Sequence, residues 1–116
     1  MSEITIYHNP RCSKSRQTLA LLTSRGLSPR VVHYLDAPPA PATLARLLTL
    51  LAMRPRDLLR THETLYAELR LDDLQLTDDE LIAAMVSHPV LIERPIVEAN
   101  GSAVLGRPPE NVLRII

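Results

Sequence analysis

A β-branched run, ITIY at 4–7, meets Asn9-Pro10 and then a stretch of helical composition from Ser13 onward. Ile, Thr and Tyr suit the half-buried pleated surface of a sheet, and Asn-Pro ends such a run in a turn. The spacing predicts a helix over 13–25, with Leu19, Leu22 and the neighbouring Ala20 and Leu21 as its apolar side and Gly26 as its C-terminal cap. RVVHYL at 30–35 reads as a second strand. A strand–helix–strand unit this short closes by a right-handed crossover between parallel strands, which restricts the fold more than any other stretch of the chain.

A proline-rich turn, DAPPAP, leads into a helix carrying Leu44, Leu47, Leu48 and Leu51 at i, i+3, i+4 and i+7. Shorter helical pieces are expected over 57–60 and 62–69. TDDELIAAMVSH at 77–88 opens with the Thr77…Glu80 pattern of a capping box and ends at Pro89. Residues 95–106 form two β-like runs around Asn100-Gly101, the strongest short hairpin signal. PPENVLRII reads as a closing helix with Val112, Leu113 and Ile116 on one side. With no internal repeat, low-complexity tract or linker, the chain reads as a single domain over 1–116. The expected architecture is α/β: a mixed four-stranded sheet with flanking helices and a helical insertion, in the thioredoxin-like layout.

The 116 residues contain 13 cations and 13 anions, which excludes a nucleic-acid or membrane-surface role driven by bulk charge. Lys14 is the only lysine; the other cations are arginine. The one cysteine, Cys12, cannot form an internal disulfide and suits a reducing cytoplasm. No apolar run reaches membrane-span length, and MSEITIYH lacks the regions of a signal peptide. The chain is therefore expected to be cytoplasmic and soluble.

Cys12 falls where the first strand hands over to the first helix. The first N–H groups of a helix lack internal partners and carry the positive end of its dipole, so a thiolate or an oxyanion placed there is stabilised. A core cysteine would have apolar flanks, whereas Cys12 has Arg11, Ser13, Lys14, Ser15 and Arg16. No metal site is expected, because His8, His33, His62 and His88 are scattered and none pairs with Cys12 at zinc spacing. Ser15 stands where a dithiol oxidoreductase has its second cysteine. Cys12 to Arg16 is also too short for the C-x5-R loop of cysteine phosphatases. The pattern is that of a single activated thiol facing an anion.

Arg94-Pro95 and Arg107-Pro108 repeat one local device. A residue before proline is pushed towards extended backbone, so both arginines sit on non-helical chain flanking the hairpin. Planar guanidinium forks hold an oxyanion better than lysine point charges do. Arg60 closes RDLLR and is a third candidate.

IYHNPRCSKSR, LLR at 58–60, HPVLIERPIV at 88–97 and GRPPENVL at 106–113 resemble the glutaredoxin-coupled arsenate reductase family, and look most like its chromosomal branch. The resemblance runs over essentially the whole chain. It implies a thioredoxin-like fold, Cys12 as the nucleophile, and Arg60, Arg94 and Arg107 as the substrate site. It also implies that His8, Ser15 and Arg16 support the thiolate, and that Pro95 is the cis-proline of the fold. The implied reaction reduces arsenate to arsenite, with no bound cofactor, glutathione as co-substrate, glutaredoxin as partner, and a monomeric enzyme. Two other readings stay open. One is a thioredoxin-like regulator that binds RNA polymerase (the Spx group), although Ser15 removes the C-x-x-C switch of its redox sensors. The other is a monothiol oxidoreductase acting on a different small oxyanion.

Overall fold

The computed structural model describes residues 3–116, which divide into two compact units. The first unit comprises residues up to Ala37 together with Arg94–Ile116, and the second is Pro38–Glu93.

In the first unit, β1 (Ile4–His8) runs into α1 (Ser13–Ser24), which returns the chain to β2 (Arg30–His33). After the second unit the chain re-enters as β3 (Ile96–Ala99) and β4 (Ser102–Leu105). The sheet order is β2-β1-β3-β4. β1 pairs in parallel with β2, Ile6 opposite Val31, and antiparallel with β3, Ile6 opposite Val97. β3 and β4 form the hairpin, turning through Asn100 and Gly101, both at positive φ. This is the expected mixed four-stranded α/β sheet of a thioredoxin-like fold. Ile6, Leu22, Val97 and Val112 form its fully buried core, with Ile4, Leu19, Val31 and Val104 packed around them.

Two apolar faces differ from expectation. The buried residues of α1 are Ser15, Thr18 and Leu22, while Ala20 is exposed and Leu19 and Leu21 are half-buried. Polar groups take the inner face because they bond to the loop and strand ends beneath it. The closing segment is a 3₁₀ helix, Pro109–Arg114, so its inward residues repeat every third position. Pro109 and Val112 are buried and Ile115 packs on the core, whereas Leu113 and Ile116 are exposed. β2 also stops at His33, and 34–36 enter a turn in which Tyr34 is buried.

Gly26 ends α1 as anticipated. At φ 75° it places its N–H on Thr23 O and the Leu27 N–H on Leu22 O, the two bonds of a Schellman motif.

The second unit is helical: α2 (Pro41–Leu51), α3 (Pro55–Leu58), α4 (Thr64–Glu68), α5 (Asp78–Ser87) and a 3₁₀ turn, Pro89–Leu91. α3 has the expected length but begins two residues earlier, at Pro55, and α4 is shorter than the 62–69 the sequence suggests. Leu44, Leu47 and Leu48 of α2 are buried, and α2 and α3 both pack against α5, whose Leu81 and Met85 are buried. The capping box at α5 forms in full, with the Glu80 N–H on Thr77 Oγ1 and the Thr77 N–H on Glu80 Oε1. Among the described residues, no helix is long and apolar enough to cross a membrane.

Candidate active site

The turn between β1 and α1 is built from its own side chains. The Asn9 carboxamide oxygen accepts the Arg11 N–H at 3.0 Å, and the Asn9 carbonyl accepts the Cys12 N–H at 3.0 Å. The Arg16 guanidinium reaches back to the Pro10 carbonyl at 2.9 Å. These bonds set Cys12 as the N-cap of α1 in extended conformation, φ −93° and ψ 123°.

Burial of Cys12 works against the charged thiolate and is the largest single influence on it. The Ser15 amide, the Arg94 guanidinium (as hydrogen-bond donor and as charge) and the Lys14 amide together outweigh that effect. The Cys12 pKa therefore lies below its ordinary value. This is the helix N-terminal stabilisation that the strand-to-helix position suggests.

Arg94 and Arg107 converge on the sulfur from the two ends of the hairpin. Nε and Nη1 of Arg94 are out of solvent. Arg107 Nη1 lies 3.9 Å from Cys12 Sγ and donates to the Arg94 carbonyl at 3.2 Å. Both Arg94–Pro95 and Arg107–Pro108 are cis peptides. An anion beside Cys12 thus meets helix N–H groups and two guanidinium forks.

His8 and Ser15 form a second polar layer under the turn. Ser15 Oγ lies 2.6 Å from His8 Nδ1 and accepts the Asn9 N–H at 3.0 Å; all three residues are buried. Burial, then the charges of His33 and Arg16, hold His8 below the usual histidine range, so it is neutral near pH 7. With His8 neutral, the Ser15 hydroxyl can donate to Nδ1 while its oxygen accepts from Asn9. The hydroxyl of Ser15 therefore serves the turn, and its backbone N–H serves the sulfur. Arg16 likewise acts on the turn, through Pro10.

Arg60 belongs to the second unit. Its N–H bonds the Leu91 carbonyl at 2.8 Å, and its guanidinium meets Glu63 at 3.2 Å and Glu93 at 2.8 Å. In this structure its fork is held by carboxylates. Among the described residues, no three His, Cys, Asp or Glu side chains gather as a metal site.

Beside the site, the buried Thr18 hydroxyl lies 3.3 Å from the carbonyl of Gly106, a contact that no sequence pattern marks. Thr18 carries no motif, and Gly106 stands in the sequence as the end of the hairpin runs, just before Arg107-Pro108. The proline rule placed both arginines on extended chain, but it could not show that they meet at one sulfur.

Fold and site define a class: thioredoxin-like α/β proteins with a single thiol at the N-terminus of the first helix and guanidinium groups facing it. Within that class the chain belongs to the ArsC family, which matches residues 7–115. It is 48% identical to an arsenate reductase of Neisseria meningitidis serogroup A over the full length of both chains. It is also 56% identical to the uncharacterized protein YfgD of Escherichia coli K12, over 98% of this chain and 97% of that one. The solved arsenate reductase from Vibrio cholerae superposes with a TM-score of 0.96 at 54% identity, covering 98% of each chain.

Proposed function

We propose that the protein is a cytoplasmic arsenate reductase that draws its electrons from glutathione and is regenerated by glutaredoxin. The observation that carries this reading is a thiolate-favouring Cys12 with Arg107 at 3.9 Å and Arg94 donating to it, in a chain of the ArsC family. Related proteins named arsenate reductase share this chain over its whole length.

Arsenate sits beside Cys12 with its charge met by Arg94 and Arg107. The thiolate attacks arsenic, an S–As bond forms and an As–O bond breaks, and the oxygen leaves as water after protonation. The arginines neutralise charge that would otherwise repel the thiolate, and they hold the oxyanion in line. Glutathione thiolate then attacks the Cys12 sulfur. An S–S bond forms, and the S–As electron pair stays on arsenic, which leaves as arsenite. The two electrons come from the two sulfurs. Glutaredoxin removes glutathione from Cys12 by thiol–disulfide exchange. Arg60 is assigned to arsenate by family resemblance alone.

One cysteine can supply only one sulfur of that disulfide, so the second must come from outside. NADPH consumption with arsenate should therefore be absent with thioredoxin and its reductase alone. It should start when glutathione, glutaredoxin and glutathione reductase are supplied, and Cys12→Ser should abolish it. Multiple turnover with thioredoxin alone would overturn the mechanism.

A further inference from the structure

The distance between Cys12 and its arginines depends on how α1 lies against the ends of β3 and β4. One junction in the first unit ties all three together. Thr18, six residues and so about 1.7 helical turns along α1 from Cys12, is fully buried. Its hydroxyl has one proton, which the Lys14 carbonyl at 2.8 Å and the Gly106 carbonyl at 3.3 Å share as acceptors. Gly106 in turn places its N–H on the Pro95 carbonyl at 2.9 Å. Gly106 is thus held by Pro95 on one side and Thr18 on the other, and its chain neighbour is Arg107.

This junction leaves no room for a side chain. A Cβ at Gly106 would lie 2.8 Å from Pro95 Cγ and 2.9 Å from Thr18 Cγ2, and closer still to Thr18 Oγ1. The φ of Gly106 is not positive, so close approach, not backbone conformation, is what requires glycine here.

We propose that Thr18 and Gly106 are positioning residues that set the register between the Cys12 helix and the strand ends bearing Arg94 and Arg107. The role in arsenate chemistry rests on the function proposed above; the placement of the arginines at the sulfur does not. Thr18→Val keeps the shape but removes the one donor that the Gly106 and Lys14 carbonyls share. Thr18→Ser keeps the hydroxyl. Gly106→Ala must push α1 away from Pro95, or Pro95 away from α1.

The test compares the rates at which Cys12 reacts with iodoacetate, an anion, and with iodoacetamide, its neutral analogue. Cations held at the sulfur raise the ratio of the two rates, whatever the natural substrate. The ratio should fall at least threefold in Thr18→Val and Gly106→Ala and stay within twofold of the starting protein in Thr18→Ser. The arsenate KM should rise at least fivefold in the same two variants, with kcat falling less. Circular dichroism establishes that each variant is folded. If Gly106→Ala does not fold, the Thr18→Val and Thr18→Ser pair decides. A native Thr18→Val with an unchanged ratio overturns the proposal. Absence of arsenate turnover in the unmodified protein overturns the proposed function instead and leaves the alkylation ratio to decide this one.

Discussion

Replacing Arg94 by lysine keeps the positive charge and removes the fork. In the structure Arg94 stabilises the Cys12 thiolate both by a hydrogen bond and by charge, and two of its guanidinium nitrogens are out of solvent. A planar guanidinium can bond sulfur and oxyanion together; an ammonium is a point charge on a flexible stem that reaches one of them at a time. The expected loss is therefore one charge-assisted hydrogen bond, about 1.5–3 kcal/mol. That corresponds to roughly a 10- to 150-fold fall in kcat/KM. Steady-state arsenate reduction with saturating glutathione and glutaredoxin measures it, and circular dichroism checks the fold. Arg94→Met removes the charge as well. The pH midpoint of Cys12 alkylation should therefore be lowest in the unmodified protein, higher in Arg94→Lys and highest in Arg94→Met. A natively folded Arg94→Lys protein with full kcat/KM and an unchanged alkylation midpoint would show that fork geometry at this residue is irrelevant.

Ser15→Ala leaves the buried Asn9 N–H and His8 Nδ1 without the oxygen between them, so urea unfolding should show a loss of about 1–3 kcal/mol. A loss below about 0.5 kcal/mol, the size of an ordinary surface change, would contradict the role given to that hydroxyl. Ala52 and Arg70 follow the last turns of α2 and α4 at φ 55° and 53°, conformations that disfavour a Cβ. Glycine at either position should raise stability by up to about 1 kcal/mol once its greater freedom in the unfolded chain is subtracted, and destabilisation by both would refute this.

Local signals in the sequence carried the fold where one segment decides its own structure. The β-branched ITIY became β1, Asn100-Gly101 made the hairpin, and Thr77 with Glu80 closed their capping box. Cys12 at the strand-to-helix junction was legible for the same reason. What escaped was decided between distant segments. Ser15 and Thr18 face inward on α1 because His8, Asn9 and Gly106 supply their partners, and no helical periodicity reveals that. The closing helix chose three residues per turn, so a pattern read at 3.6 placed Leu113 and Ile116 on the wrong side. The carboxylates of Glu63 and Glu93 around Arg60 are likewise visible only once the chain is folded.

The proposed chemistry requires that this turn and Arg94 favour the ionised form of Cys12. The ultraviolet absorbance of the thiolate, followed against pH in the folded protein with Cys12→Ser as the blank, measures that directly. The sign is fixed by the groups around the sulfur: burial opposes the charged form, and the Ser15 and Lys14 amides and the Arg94 guanidinium together favour it more strongly. The midpoint should lie below the free-thiol value of about 8.5 and return to that value in urea. A folded-state midpoint at or above about 8.5 would contradict the activated thiolate on which the proposed chemistry depends.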